Sequence, residues 1–326
     1  MQLLPEFEVR YPATLAEAAR LLADKNDALV LAGGTGLIAN LRLGLGSPSV
    51  LVSLERVQEL GDILQSKDSL RLGAGVTLAR LVNEPAVRER FPALAEAAAT
   101  IAGPTHRSSA TLGGNLCLDT RCAFYNQNET WRRSNGYCLK YGGEICHVAP
   151  QGKRCHAAYS GDLAPVLLVL GAEIEIATAS GTRRAPLENL YRDDGAKHLT
   201  LEHGEFISAV RIPFAPPGTR VGYRKARVRG AIDFPLAGVA VSLEMDKGRV
   251  RALKVSITGT NPYPIRLSGA SELEGEPGDP GLADKLSKLV QKQVHPQRTT
   301  VTASNYRRQV AAALAVRLVR ELAAAH

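Results

Sequence analysis

The residues of this sequence most suited to metal chemistry are its five cysteines. They lie in one stretch of the chain, at Cys117, Cys122, Cys138, Cys146 and Cys155. In a reducing cytoplasm, an odd number of clustered thiols favours metal binding over a disulfide framework. The intervals of four, fifteen, seven and eight residues lack the two close pairs that are typical of zinc sites. An iron–sulfur cluster can take four thiolates from widely spaced positions, so the spacing favours a cluster over zinc or over buried, unligated thiols.

Histidines and cations accompany the cysteines. His106, His147 and His156 could each replace a thiolate in a zinc site, although a single loop histidine is more often a surface residue. The cysteine-containing stretch also carries six cations, at Arg121, Arg132, Arg133, Lys140, Lys153 and Arg154. These cations could offset thiolate charge or dock an acidic electron carrier, or they could form an ordinary solvated basic loop.

Two glycine-rich segments could bind an anionic cofactor. The first, Gly33-Gly34-Thr35-Gly36, follows an apolar strand predicted over residues 28–32, and the second is Thr111-Leu112-Gly113-Gly114-Asn115. Glycines let backbone N–H groups approach a phosphate without obstruction by side chains. Neither segment matches the dinucleotide fingerprint G-x-G-x-x-G or a P-loop. Together, however, the two segments could bracket one extended cofactor.

The elements that must position these residues indicate more than one domain. A chain of 326 residues with 45% hydrophobic content is expected to form two or three domains. Thr14 and Glu17 form a capping box before a short helix, and mixed strands and helices follow. The last third has alternating strands and then two long helices, which is typical of a separate sheet-and-helix domain. We expect domains at 1–55, 56–180 and 181–326, with a metal-binding loop at 117–157 inserted in the second.

Composition excludes several classes of protein. The net charge of +8 is spread along the chain without a recognisable nucleic-acid-binding motif, so nucleic acid is not an expected partner. No window approaches the roughly 20 apolar residues that a membrane-spanning helix needs. The first residues lack the basic and apolar regions of a secretory leader, and we therefore expect a cytoplasmic protein.

The order of these motifs resembles the FAD-binding (medium) subunits of molybdenum hydroxylases, the xanthine dehydrogenase family. The resemblance covers essentially the whole chain and rests on Ala32-Gly33-Gly34-Thr35, the segment Thr111 to Asn115, Asp162 before an apolar helix, and Ser304-Asn305-Tyr306-Arg307. The cysteine-containing insertion, which ordinary members lack, narrows the resemblance to the β subunits of 4-hydroxybenzoyl-CoA reductases. Their flavin subunit carries an additional [4Fe-4S] cluster.

The resemblance implies a fold and a set of cofactor-binding residues. The implied fold is α+β, with two small FAD-clamping α+β domains (the PCMH-type FAD-binding fold) followed by a C-terminal domain of antiparallel sheet plus helices. The residues implied to bind FAD are Val30, Leu31, Ala32, Gly33, Gly34, Thr35, Gly36, Leu37, Ile101, Thr111, Leu112, Gly113, Gly114, Asn115, Asp162, Ile207 and Lys225. Gly36 departs from the family, which often has a polar residue there, so only a backbone contact can remain. The implied cluster ligands are Cys122, Cys138, Cys146 and Cys155, which leaves Cys117 as a packed thiol near the second glycine segment.

The resemblance also implies an electron-transfer role without a catalytic residue on this chain. The cluster would accept electrons from ferredoxin and pass them to FAD. They would continue through the [2Fe-2S] clusters of a small subunit to a molybdopterin-binding large subunit, where 4-hydroxybenzoyl-CoA is reductively dehydroxylated. The implied assembly is a dimer of such heterotrimers.

Two alternatives remain open from the sequence. The chain could be the flavin subunit of another molybdenum hydroxylase, such as a purine, aldehyde or N-heterocycle dehydrogenase that passes electrons outward. More distantly, it could be a zinc-stabilised nucleic-acid-binding protein, which would bind zinc and no flavin.

Overall fold

Three sheets organise the chain in the structure, a computed structural model that describes residues 3–278, 280–297 and 302–324. The first sheet is parallel, with strand order β1-β3-β2. Its strands and helices are β1 (Glu8–Arg10), α1 (Leu15–Ala23), β2 (Leu29–Leu31), α2 (Leu37–Leu41) and β3 (Val50–Ser53). The predicted capping box starts α1, because the Glu17 amide donates to Thr14 Oγ1 at 3.2 Å.

The second sheet is antiparallel and has five strands in the order β4-β5-β8-β6-β7. The strands are β4 (Ile63–Gln65), β5 (Ser69–Gly73), β6 (Glu173–Thr178), β7 (Gly181–Pro186) and β8 (Phe206–Pro213). The connection from β5 to β6 contains α3 (Leu78–Asn83), α4 (Pro85–Arg90), α5 (Pro92–Ala99), α6 (Pro104–Arg107), α7 (Leu112–Leu116), α8 (Glu129–Ser134) and α9 (Leu163–Val169). The expected boundary at residue 181 falls inside this sheet, because β7 and β8 both pair with β6.

The third sheet is also antiparallel, with strand order β12-β11-β10-β9. The elements are β9 (Arg220–Ala226), β10 (Ala237–Asp246), β11 (Arg249–Thr258), β12 (Ile265–Arg266), α10 (Pro280–Gln293) and α11 (Ser304–Ala324). Single 3-10 turns lie at Gln58–Gly61, Leu187–Leu190 and Ala270–Leu273. Lys247 and Gly248 both have positive φ at the β10–β11 hairpin, as a two-residue type I′ turn requires. These three sheets and their helices confirm the expected α+β class.

Arg307 explains the motif at the start of α11. Its side chain is buried, and its Nε donates to the Leu236 carbonyl at 3.0 Å. The rest of the guanidinium donates to the carbonyls of Gly259 and Gln297. This motif residue therefore anchors the terminal helix to three loops of its own domain.

The described residues form two large hydrophobic cores and one small cluster, and α9 belongs to the first core. One core joins the first and second sheets, and the other packs α10 and α11 on the third sheet. All seven residues of α9 are buried, since α9 packs against β10 and β11 as well as α5 and α7. In the described part of the chain, no helix has both the length and the apolar character needed to cross a membrane.

Candidate functional site

The first glycine segment is in direct contact with the residues that lead into the second. A Cβ atom on Gly33 would collide with the carbonyl oxygen of Ser109, two residues before Thr111. Gly34 has a φ of +70°, a conformation that side chains with a Cβ rarely adopt. Glycine at both positions therefore allows the first segment to turn sharply and to lie against the second.

The backbone amides of residues 33–36 are available to a ligand. None of them donates to an acceptor among the described residues, and the segment is partly or fully exposed at each of these positions. Successive N–H groups without a protein acceptor form a concavity suited to an anion. This arrangement fits a diphosphate held by backbone contacts alone, as expected where Gly36 replaces a polar residue.

The second glycine segment forms the start of α7. The Gly114 amide donates to Thr111 Oγ1 at 3.1 Å, and the Gly113 amide donates to the Ala74 carbonyl at 2.8 Å. A Cβ on Gly113 would lie 2.8 Å from the Ala74 Cβ, closer than real Cβ atoms approach. Glycine is thus needed here for close packing, while Gly114 is exposed and accessible to a ligand.

Asp162 is joined to the second glycine segment and to the third sheet. The Asn115 side-chain oxygen accepts from the Leu163 amide at 3.1 Å, which fixes the start of α9 beside the segment. Asp162 Oδ1 accepts from the Tyr223 hydroxyl at 2.6 Å, and Oδ2 accepts from Lys225 Nζ at 3.1 Å. Burial raises the pKa of Asp162, although Lys225 and Tyr223 act in the opposite direction.

Lys225 also reaches the segment that contains Ile101. Lys225 Nζ donates to the Thr100 carbonyl at 3.3 Å, and Arg227 donates to the same carbonyl at 2.9 Å. Next to the partly buried Ile101, Ala102 has a φ of 45°, an uncommon conformation that often marks a functional segment. The structure therefore brings Ile101 and Lys225 together with Asp162.

Ile207 is placed differently from the other predicted residues. Its side chain is buried in the core, and it lies opposite Ile176 between β8 and β6. The link to the glycine segments is indirect: the Ala74 amide donates to the Ser208 carbonyl at 2.9 Å, and Ala74 in turn holds Gly113.

The four cysteines predicted as ligands line one small cavity. Cys122, Cys138, Cys146 and Cys155 share it with Phe124, Tyr125, Leu139, Lys140, His147 and Val148. The Ala157 amide donates to Cys155 Sγ at 3.4 Å, and nearby backbone amides act to lower the pKa of Cys122 and Cys146. Such amides stabilise thiolates, so the donor set fits a thiolate-bound metal centre.

The thiols interact with one another and with Lys140. Burial raises the pKa of Cys122 to about 11. The pKa of Cys155 is raised chiefly by its hydrogen bond to Cys146, and that same bond lowers the pKa of Cys146. The charge of Lys140 acts on Cys155 in the opposite direction and favours its thiolate. Within the ranges that the structure describes, no three His, Cys, Asp or Glu side chains are grouped tightly enough to hold a single metal ion.

Cys117 lies apart from this cavity, at the C-terminal end of α7. It packs against the main core, and burial raises the pKa of its thiol to about 12. A thiol of this kind is an inert packing group. The position agrees with the expectation of a packed thiol beside the second glycine segment.

The cysteine-containing insertion is anchored on the loop that follows α2. The buried Arg132 donates to the Leu43 carbonyl at 2.9 Å and to the Gly44 carbonyl at 3.0 Å. The Tyr141 hydroxyl also donates to the Gly44 carbonyl, at 2.5 Å. These loop carbonyls follow α2 directly, so the insertion lies next to the helix that begins at the first glycine segment.

Most cations of the insertion have structural partners. Arg132 is buried, Lys140 is paired with Asp119 and Arg154 is paired with Asp193. Of the six cations, Arg133 and Lys153 are the exposed ones. The structure thus offers little of the basic docking surface that the sequence suggested.

Sequence reasoning missed several contributors. Tyr223 holds Asp162, and a signal for it exists, because residues two apart on a strand face the same side and Tyr223 is two before Lys225. Asn40 was also missed: its Nδ2 donates to Asp119 Oδ2 at 3.2 Å and links α2 to the insertion. No local pattern could have indicated that pair, which is 79 residues apart in the chain.

Comparison with known proteins divides the chain into two matched parts. Residues 5–215 match the family described as the FAD binding domain in molybdopterin dehydrogenase. Residues 222–322 match the CO dehydrogenase flavoprotein C-terminal domain. The junction between the two matches falls between β8 and β9, where the second sheet ends.

Individual relatives extend over nearly the whole chain. The putative xanthine dehydrogenase FAD-binding subunit XdhB of Escherichia coli K12 is 28% identical over 317 residues, which cover 96% of this chain and 94% of that protein. The aldehyde oxidoreductase FAD-binding subunit PaoB of the same strain is 33% identical over 270 residues, covering 79% and 82%. The solved CO dehydrogenase from Oligotropha carboxidovorans contains a chain with a TM-score of 0.81 and 25% identity, with coverage of 99% and 100%. The chain therefore belongs to the family of FAD-binding medium subunits of molybdenum hydroxylases.

Proposed function

We propose that this flavin subunit also binds a [4Fe-4S] cluster and serves a reductase similar to 4-hydroxybenzoyl-CoA reductase. The observation that carries the proposal is the cavity shared by Cys122, Cys138, Cys146 and Cys155. These residues are spread over more than thirty positions of the chain, and the fold gathers them without Cys117. Four thiolates are the usual ligand set of such a cluster.

The arrangement of the thiols favours a cluster over a single zinc ion. The four side chains surround a space instead of meeting at one point. A [4Fe-4S] core holds its four thiolates around a centre larger than one ion, whereas a structural zinc ion draws four sulfurs to about 2.3 Å from a single centre. Phe124 and Tyr125 form part of the wall and would limit the access of water to the core.

The residues of this chain then bind and position two cofactors. The free amides of residues 33–36 would hold the diphosphate of FAD, and Asp162 and Lys225 would lie beside its ribityl chain. The four cysteine sulfurs would hold the cluster, and the Ala157 amide would support that of Cys155. Once bound, the cluster would supply one-electron steps and the flavin would connect them to two-electron chemistry.

The direction of electron flow follows from the same proposal. A cluster in the insertion of the flavin subunit would give a low-potential donor such as ferredoxin a point of entry. Electrons would then leave FAD for a [2Fe-2S] small subunit and a molybdopterin-binding large subunit. Substrate reduction would take place on that large subunit.

A second candidate is supported by the relatives. Their names include a putative xanthine dehydrogenase subunit, a nicotine 6-hydroxylase medium subunit and a CO dehydrogenase medium chain. A flavin subunit of that kind would pass electrons outward, and the cysteine cavity would then be structural. Both candidates predict bound FAD, and only the first predicts bound iron.

Anaerobic purification with iron, sulfide and flavin assays on one sample tests the proposal. About four iron and four sulfide per FAD is the expected result, together with the visible and EPR spectra of a [4Fe-4S] cluster. Flavin with negligible iron would reject the cluster and favour the second candidate.

Single Cys→Ser variants locate the cluster. Cys138→Ser and Cys146→Ser should lose most of the iron while keeping FAD. The matched control is Cys117→Ser, which removes a thiol outside the cavity and should keep both cofactors. Equal iron loss from Cys117→Ser would contradict the assignment of ligands. In the assembled enzyme, reduced ferredoxin should bleach the flavin of the Cys117→Ser protein and not that of Cys138→Ser.

A further inference from the structure

Lys140 is a buried cation at the wall of the four-cysteine cavity. It lines the cavity with all four predicted ligands, and its side chain is only 6% exposed. The other five cations of the insertion are absent from that lining. Lys140 is therefore the basic residue of the insertion whose charge the cavity experiences with little screening by water.

The ammonium group is held in place by three oxygens. Lys140 Nζ donates to Asp119 Oδ1 at 2.6 Å, to Thr120 Oγ1 at 2.6 Å and to the Thr120 carbonyl at 3.0 Å. An ammonium has three N–H donors, so these partners account for all of them. The Tyr125 ring lies 4.1 Å from Nζ and adds a cation–π contact. Lys140 thus acts on the cavity as a fixed charge and not as a hydrogen-bond donor to sulfur.

Asp119 offsets part of this charge. Its carboxylate is held by Lys140 on one oxygen and by Asn40 on the other. The side chain of Asp119 is about one third exposed, at 33%, and Asp119 does not line the cavity. Because the carboxylate is farther from the cavity and more hydrated than the ammonium, the positive charge dominates at the cavity wall.

We propose that Lys140 is the positioning residue that raises the reduction potential of the cluster, and that Asp119 limits the size of this effect. The inference rests on the proposed function, since it concerns a cluster bound by the four cysteines. Reduction adds one negative charge to a cluster that four thiolates already make anionic. A buried cation stabilises the reduced form more than the oxidised form, and local charge is one of the factors that set cluster potentials.

The test is an EPR-monitored redox titration of the purified protein with its cluster bound. Lys140→Gln should lower the reduction potential of the cluster. At a fixed solution potential, the ratio of oxidised to reduced cluster should change at least tenfold, which corresponds to about 59 mV for one electron. Lys140→Arg keeps the charge and should restore most of the potential. Asp119→Asn removes the opposing charge and should shift the potential in the positive direction.

The matched control is Lys153→Gln, which makes the same substitution at an exposed position of the same insertion. Its potential should stay within a few millivolts of the parent protein because water screens that charge. Equal potentials for Lys140→Gln and Lys153→Gln, with the cluster intact in both, would overturn the inference and leave the proposed function standing. A parent protein without iron and sulfide would instead overturn the proposed function and the inference with it. Should Lys140→Gln lose its cluster, an unchanged or lower potential in Asp119→Asn would still reject the inference.

Discussion

Asp162 and Lys225 form an ion pair of 3.1 Å between the start of α9 and the third sheet, and each side chain is only 3% exposed. Asp162 precedes α9, while Lys225 lies on β9 of the third sheet. Tyr223 and the Thr100 carbonyl complete the hydrogen bonds of the two charges. A pair buried in this way is costly to break, because either partner alone leaves an uncompensated charge in the interior.

The two single substitutions in this pair should therefore destabilise the protein, in sum, more than the double substitution does. We expect Asp162→Asn or Lys225→Met alone to lower the free energy of unfolding by about 3–5 kcal/mol. The double variant should lose clearly less than the sum, since no unpaired charge remains. Denaturation followed by fluorescence, with and without bound flavin, measures the coupling. Additive losses would show that the two charges do not act as a pair.

The contact between the glycine segments gives a prediction for flavin affinity. In Gly33→Ala, the new Cβ collides with the backbone carbonyl of Ser109, which cannot rotate away as a side chain would. We expect a cost of about 1–3 kcal/mol in stability and weaker FAD binding as the segments separate. Isothermal titration of the flavin-free protein with FAD measures the affinity.

The control for this experiment is Gly36→Ala in the same segment. A Cβ there meets nothing closer than the Leu118 Cδ1 at 3.9 Å, an ordinary contact, and the φ of −94° suits alanine. Its flavin affinity should remain close to that of the parent protein. If Gly36→Ala binds FAD as poorly as Gly33→Ala, the collision with Ser109 is not the cause.

Arg132 should hold the cysteine-containing insertion on the first domain. Arg132→Met removes hydrogen bonds from a charged donor to the carbonyls of Leu43 and Gly44, each contributing about 1.5–3 kcal/mol. We expect faster proteolysis and hydrogen exchange within residues 117–157, with the exchange of the three sheets little changed. Arg133→Met, at the exposed neighbouring position, should leave both unchanged. Equal exchange rates within residues 117–157 in the parent protein, Arg132→Met and Arg133→Met would argue against this anchoring role.

His198 should make stability depend on pH in the acidic range. The ring is buried, its Nε2 has no hydrogen-bond partner among the described residues, and desolvation lowers its pKa from 6.5 to about 4. Between pH 6.5 and 4, the unfolded chain therefore binds a proton that the folded chain does not. Stability is lost as the pH falls through this range, by up to about 3 kcal/mol at pH 4.

Melting temperatures between pH 7.5 and 4.5 test this assignment. His198→Phe should have a flatter profile than the parent protein, because the proton-binding difference is gone. The exposed His203→Phe is the control and should follow the parent curve. Parallel curves for all three proteins would show that other groups cause the acid sensitivity.

Local sequence alone was sufficient for much of the fold. The capping box at Thr14 and Glu17, the hairpin turn at Lys247 and Gly248, and the strand that leads into Gly33 all depend on residues within a few positions of one another. Propensity and turn chemistry operate over that range, and they are readable without tertiary information. The order of the motifs further indicated the family, which the matches over residues 5–215 and 222–322 confirm. The individual flavin and cluster ligands stay predictions.

Pairings between distant parts of the chain were decided by the tertiary structure. Strands β7 and β8 extend the second sheet beyond the boundary expected at residue 181, because sheet membership depends on pairing with β6 and not on local pattern. The tertiary structure also decided the environment of the cations. In the sequence, Arg132, Lys140 and Arg154 suggest a basic surface. In the structure each has a carboxylate partner, and the side chains of Arg132 and Lys140 are little exposed. The sequence by itself determined the local elements and the family, and it indicated candidate residues for a flavin and a metal. Only folding decided that Cys117 packs against the main core while the other four cysteines line one cavity with Lys140. Burial and electrostatic environment arise from contacts between segments that are far apart in the sequence.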